Sequence, residues 1–461
     1  MLATMRSLYA LSFAVLTTAS CASRAKQSIT LYDSGDYAGA AKAADEGLAE
    51  HPDDDALWGM RVRAAVALGD APGIAKSYGD YVAKRGGNDA ELLRDLANAT
   101  LLQAITSPSV VLKIRAIGVV EDLEVSALAD DVAHALGDAD DRVQAAAAVA
   151  VLHGYHEALQ VADDMLRSEN AEARRIALEG VAKKIGKLAI ADIEKGANDG
   201  DARVRAIAVR WLGHYKDPDA VEVCTKRQHD PDEGVRAAAA VALAKIGLGD
   251  LAAVAKRALA DKSVVVRLAG VEVLALGRND AKLAELAADP DPTVALAAAI
   301  EVKKTHADLA PKAVQRALAD PDWHVRAGAV NSLVQALGKD GAIVAAKGLT
   351  QDGELAVRLA AARVLIHAGD TADAMPVLAA ALANHDVEAA ADLGALGDRQ
   401  ALDALGALAT DPKRSPEERA AAVSAHRTAR HVTPALVAAL ADANGLVRVE
   451  AAATLGALAK D

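Results

Sequence analysis

The sequence predicts an all-α protein built from stacked helical hairpins, and three observations carry that expectation. Apolar residues make up 52% of the 461-residue chain, yet aromatic residues only 2%, with a single Phe. A core of Ala, Leu and Val suits helices that approach closely, whereas conventional globular cores lean on bulky rings. Ala and Leu are also the strongest helix formers, and Pro, the strongest breaker, is held to 13 residues. Finally, one phrase recurs: "DGDARVRAIAVRWL" from Asp199, "DPDEGVRAAAAVAL" from Asp230 and "DPDWHVRAGAVNSL" from Asp320.

The first residues, "MLATMRSLYALSFAVLTTASCASRAK", place Arg6 before an apolar run from Leu8 to Leu16, then small residues up to Cys21. That is the arrangement of an export signal, and the run is too short to cross a bilayer as a helix. "TTAS" followed by Cys21 resembles a bacterial lipoprotein signal, although Thr18 stands where that family usually has an aliphatic residue. The resemblance implies removal of residues 1–20, acylation of Cys21 and, with Ala22 following, the periplasmic face of a Gram-negative outer membrane; an ordinary secretory signal cut near Ala19–Ala22, leaving a soluble periplasmic chain, is the other reading. Cys224 would then be the only free thiol, so packing and not a disulfide must supply stability.

Residues 22–105 form the next module. "LYDSGDYAGAAKAADEGLAEHPDD" carries a Gly35-Asp36-Tyr37 turn, Ala40, Leu48 and a closing Pro52. A second copy places Trp58 near its start, then Gly69-Asp70 and Tyr78, and ends in "KRGG" instead of proline. The stretch resembles tetratricopeptide repeats, and "ELLRDLANATLLQAI" at 91–105 looks like a capping helix.

Residues 106–461 follow another period. The arginine of "VR", or its equivalent, falls at Lys113, Gln144, Arg174, Arg205, Arg236, Arg267, Ala295, Arg326, Arg358, Glu388, Arg419 and Arg448, with steps of 28 to 32 residues. In the phrase from Asp230, Pro231 cannot continue a helix, an Asp caps the next one, and Val235, Ala239 and Leu243 form a buried stripe. Asp201 and Arg205, Asp232 and Arg236, Asp322 and Arg326, and Glu354 and Arg358 are each four apart, which puts acid and base on one helix face. About twelve such units resemble HEAT repeats of the short kind associated with phycobilisome lyases. The resemblance implies a right-handed α-solenoid and a charged ladder running from repeat to repeat through these residues. Each hairpin cannot bury its own face and needs neighbours. His153, Lys183, His214, Lys245, Lys304 and His367 recur where each second helix ends, and there cations complement the helix dipole.

Little chemistry is legible. The one histidine cluster, "HGYHE", offers His153, His156 and Glu157, but Gly154 interrupts it and the spacing is three, not the four a metal helix needs. The HEAT family includes a di-iron hydroxylase with His-Glu pairs in several repeats; this chain has a single His-Glu pair. Cys224 occupies a core position of a first helix, and Trp211 fills a site that is small in other units. Trp323 sits in a turn, where an aromatic residue can anchor a partner. Acidic residues outnumber basic ones, 64 to 51, which disfavours nucleic acid as a partner. The expectation is therefore a non-enzymatic scaffold that binds protein and needs no cofactor or metal, touching the membrane only through its lipid. A HEAT-like lyase or hydroxylase, or a subunit of one, is the second reading.

Overall fold

A computed structural model describes residues 24–460; the leader and Cys21 lie outside the described residues. Among the described residues the structure is all-α, without strands, and no helix is long and apolar enough to cross a membrane. This fits the α-solenoid expected from the repeats. The chain divides into two compact units: Val132–Ala381 is one, and the residues up to Asp131 together with Leu382–Asp461 form the other. The division follows contact, not period, so the last eighty residues group with the beginning of the chain.

In the unit made from both chain ends, α1 (residues 24–33) and α2 (Tyr37–Glu50) form the first hairpin. The second pairs α3 (Asp55–Leu68) with α4 (Ala71–Arg85), and α5 (Ala90–Ile105) and α6 (Val110–Asp122) follow. The tight turns rest on Gly35 and Gly69, whose φ values of 83° and 69° a side chain would resist. Asp36, Asp54, Asp70 and Asp89 cap the helices that follow, each accepting from a backbone N–H of the first turn. Tyr78 and Tyr81 are buried, and Trp58 stacks on Tyr81. The chain leaves this unit through α7 (Ala129–His134).

The Val132–Ala381 unit alternates first and second helices. After α8 (Asp141–Ala150), the first helices are α9 (His156–Met165), α11 (Ile190–Gly196), α13 (Val221–Arg227), α15 (Leu251–Leu259), α17 (Asp280–Leu286) and α19 (Leu309–Leu318). The second helices are α10 (Ala171–Ile185), α12 (Ala202–Tyr215), α14 (Glu233–Ile246), α16 (Val264–Leu276), α18 (Pro292–Glu301) and α20 (Trp323–Asn331). Then come α21 (Leu333–Leu349), broken at Gly338 where φ is 74°, and α22 (Leu355–His367). Each second helix packs on the next, α10 on α12 and so on to α20 on α22. The small residues explain how close they come. A Cβ at Gly213 would lie 2.5 Å from Cα of Ala242, so α12 and α14 meet almost backbone to backbone.

The chain returns through α23 (Thr371–Ala383), and the unit made from both chain ends is completed by α24 (Val387–Ala395), α25 (Arg399–Thr410), α26 (Pro416–Ala429), α27 (Pro434–Ala438) and α28 (Gly445–Leu458). The polar "DPKRSPEERA" stretch becomes a capping box, in which Ser415 and Glu418 each accept from the other's backbone N–H. The 91–105 segment is indeed helical as α5, and it packs on both α6 and α28, the last helix of the chain.

Candidate functional site: a groove along the second helices

The recurring phrase fixes the second helices and so builds the surface between them. Asp201, Asp232 and Asp322 each cap a helix, accepting from the N–H of Arg203, Val235 and His324. The intrahelical pairs expected from the four-residue spacing are replaced by longer reaches. Arg205 binds Asp230, Arg236 binds Asp261 and Arg326 binds Asp352, all in the next repeat, with closest contacts of 2.8, 2.7 and 2.9 Å. The physical reason is that the capping carboxylate already faces its own helix's N–H groups, while the arginine stem points across the turn. Each of these guanidiniums also donates to two carbonyls of its own turn, as Arg236 does to Asp230 and Pro231. Arg358 keeps that habit with Asp352 and Gly353, but Glu354 forms no side-chain cap.

The acids that receive the arginines stand two positions before the cap and were missed by reasoning from four-residue spacing. Asp230, Asp261 and Asp352 each accept from the N–H two residues on, a local turn that aims the carboxylate backwards at the previous repeat. The signal was present in the sequence as an Asp with a fixed offset ahead of each cap. Asp230 is buried; burial pushes its carboxyl up, but Arg205, the Asp232 N–H and Arg227 outweigh that and hold it below the ordinary aspartate range.

Between the second helices lies an apolar groove. One cavity of about 680 Å³ is floored by Leu268, Leu276, Leu296 and Ile300, with Glu301 and His324 at its edge. A second, of about 410 Å³, is lined by Val241 and Val265 beside Arg210 and Lys245. Both share Leu268 and Glu272, so the trough continues from α14 to α20. Its rim charges are partly spent on one another: Arg210 reaches Glu179 at 3.0 Å and Lys245 reaches Glu272 at 3.7 Å. Val265 and Leu276 remain about half exposed, at 51% and 46%. A trough with an apolar floor and self-paired charges can exclude water from another protein's apolar side chains.

The other candidates fall as follows. Trp323 is the first residue of α20, half-buried and stacked on His324 with ring centroids 3.7 Å apart, which sets it against the groove's edge instead of in an open turn. Trp211 is half-buried and stacks on Tyr215. His156 is exposed beside Glu157, and no group of three or more potential metal ligands converges among the described residues. Cys224 is buried, and burial, with the charge of Asp217, pushes its thiol up to about 12.

The family of HEAT repeats matches residues 190–275, the stretch from α11 to α16. No curated protein matches the chain. Among solved structures it is similar to YibA of Escherichia coli at 18% identity, covering 51% of this chain and 92% of that one, TM-score 0.34. It is similar to the CpcE–CpcF complex of phycocyanin lyase from Nostoc sp. at 17% identity, covering 63% and 91%, TM-score 0.25. Kap121p matches at 13% identity over 85% of this chain and 46% of its own, TM-score 0.36. The chain is thus an all-α protein whose residues 190–275 are similar to HEAT repeats.

Proposed function

We propose that this chain is a non-enzymatic scaffold that holds a partner protein in the groove between α14 and α20, tethered to the cell envelope by a lipid on Cys21. The groove carries the reading: an extended apolar floor spanning four second helices suits many weak contacts along one partner. Trp323, stacked on the groove-edge His324, is a contact residue in this reading. The leader's apolar run and the small residues before Cys21 support the tether.

Val265→Asp and Leu276→Asp test the groove. Both side chains are about half exposed, so stability should change little, while capture of the wild type's crosslinked partner should fall. Undiminished capture by both variants would remove the groove from the proposal. Fatty-acid labelling tests the tether, since a Cys21→Ala chain labelled as strongly as wild type would end it. Stoichiometric iron or a visible absorption band in the purified chain would point instead to the lyase or hydroxylase class.

A further inference from the structure

A stacked helix needs neighbours to cover its apolar side. For α28, part of that cover comes from helices far away in sequence. Val449, Ala452, Ala453, Leu455 and Ala459, in and just after α28, are all buried, within the final fifteen residues of the chain. This distant cover comes from the other end: α5 and α6 pack on α28, and α4 packs on α27.

Three features mark the seam. The first is close approach at glycines. A Cβ at Gly445 would fall 2.5 Å from Leu112 Cδ1, and one at Gly456 would fall 2.8 Å from Leu123 Cδ1. For both glycines, the side-chain atoms crowding that position belong to the opposite chain end alone. The second is a shared carboxylate. Glu450, only 8% exposed, accepts from Arg115 at 2.7 Å, from Arg427 at 3.0 Å and from the Ser424 hydroxyl at 2.8 Å. Burial pushes its carboxyl up, yet Arg115 and Ser424, aided by Arg427, keep it below the usual glutamate range. The third is incomplete filling: a cavity of about 210 Å³ remains where Ala97 and Leu101 of α5 meet Gly456.

We infer that this seam is a clasp, a non-covalent closure between the two ends of the chain that opens and shuts as one element. Shut, it buries the apolar face of α28 against α5 and α6 and pins Glu450 between Arg115 and Arg427. Open, it uncovers both apolar faces at once while each set of helices keeps its own hairpins. The seam joins segments more than three hundred residues apart and holds an unfilled cavity, whereas each hairpin of this unit closes locally, so the seam is the part of this unit that lets go first.

Amide exchange read by mass spectrometry on the full chain tests this with Gly445→Ala and Gly456→Ala. Both changes raise helix propensity, so α28 by itself becomes a better helix. The clasp predicts that protection nevertheless falls roughly tenfold or more, together, in α5, α6 and α28, with α10 to α16 unchanged. Leu112→Ala in the Gly445→Ala chain, and Leu123→Ala in the Gly456→Ala chain, should restore protection, because each trims the one side chain the added Cβ meets. Gly118→Ala, which faces open space on α6, should leave exchange as in wild type. Unchanged protection in both wedge variants would overturn the inference. So would loss confined to α28, loss throughout the chain, or failure of the leucine trims to restore it.

Discussion

Replacing Asp230 by Ala gives the sharpest test of how the repeats are held together. Its side chain is fully buried, and its partner Arg205 is 11% exposed. The substitution removes two hydrogen bonds from Arg205, at 2.9 and 2.8 Å, and one from Arg227 at 3.2 Å. It also removes the turn bond from the Asp232 N–H at 3.1 Å. Arg205 keeps its two carbonyl acceptors, Asp199 and Gly200, so its charge is stranded only in part. Breaking a buried pair by removing one partner costs about 3–5 kcal/mol, and the retained carbonyls place Asp230→Ala near the lower end, at about 3 kcal/mol. Asp230→Asn keeps an acceptor for the turn and should cost roughly half as much. Asp45→Ala, whose carboxylate is 58% exposed while binding Arg61, should cost less than about 1 kcal/mol. A repeat array need not unfold in one step, so the readout is denaturant-dependent amide exchange in α12 and α14. A loss below about 1 kcal/mol for Asp230→Ala, or one no larger than for Asp45→Ala, would refute the ladder as the main tie between hairpins.

Other outcomes follow from the same geometry. Asp199, Asp230, Asp261 and Asp352 all have carboxyls held below the ordinary range. A depressed folded value means their stabilisation is complete above the ordinary aspartate pKa, about 4, and drains away as pH falls through the folded values. Tm measured from pH 7 downward should therefore stay level and then drop below about pH 4, with a shallower drop in Asp230→Asn; a drop of equal steepness would count against the ladder acids. Gly213→Ala improves helix propensity but puts a methyl 2.5 Å from the Ala242 backbone, so Tm should fall, by about 1–3 kcal/mol of stability; a rise would mean α12 and α14 are not so tightly joined. Cys224, with its thiol pushed up to about 12, should resist a thiol reagent at pH 8 until the chain is denatured. Fast labelling of the native chain at that position would contradict the packing described.

The helices were legible because their signals are local: a capping Asp, a Gly or Pro, and apolar residues four apart. Even the acids of the ladder were written in the phrase, although the four-residue spacing drew attention to Asp232 when Asp230 binds the incoming arginine. The groove was less visible, since Leu268 and Leu296 look like any core leucines until the spacing between helices is known. The meeting of chain ends was out of reach altogether. Nothing around Gly445 announces Leu112, because a fit between residues more than three hundred positions apart leaves no trace in a repeat's own period. Trp323 shows the same limit on a small scale: the sequence places it in a turn, whereas it opens α20 and stacks on the ring of His324.

Between Arg174 and Arg326, one position in the ladder has no arginine. Ala295 stands where the other repeats of this stretch carry a guanidinium, and it is fully buried. On either side, Arg174, Arg205, Arg236, Arg267 and Arg326 each brace one hairpin against the next, so within this stretch flexing is least resisted at Ala295. The 680 Å³ cavity spans that step, from Leu268 to Gln335. Elastic give would thus concentrate where the trough is roomiest, and guests of different girth could be accommodated there without prying apart the braced hairpins on either side.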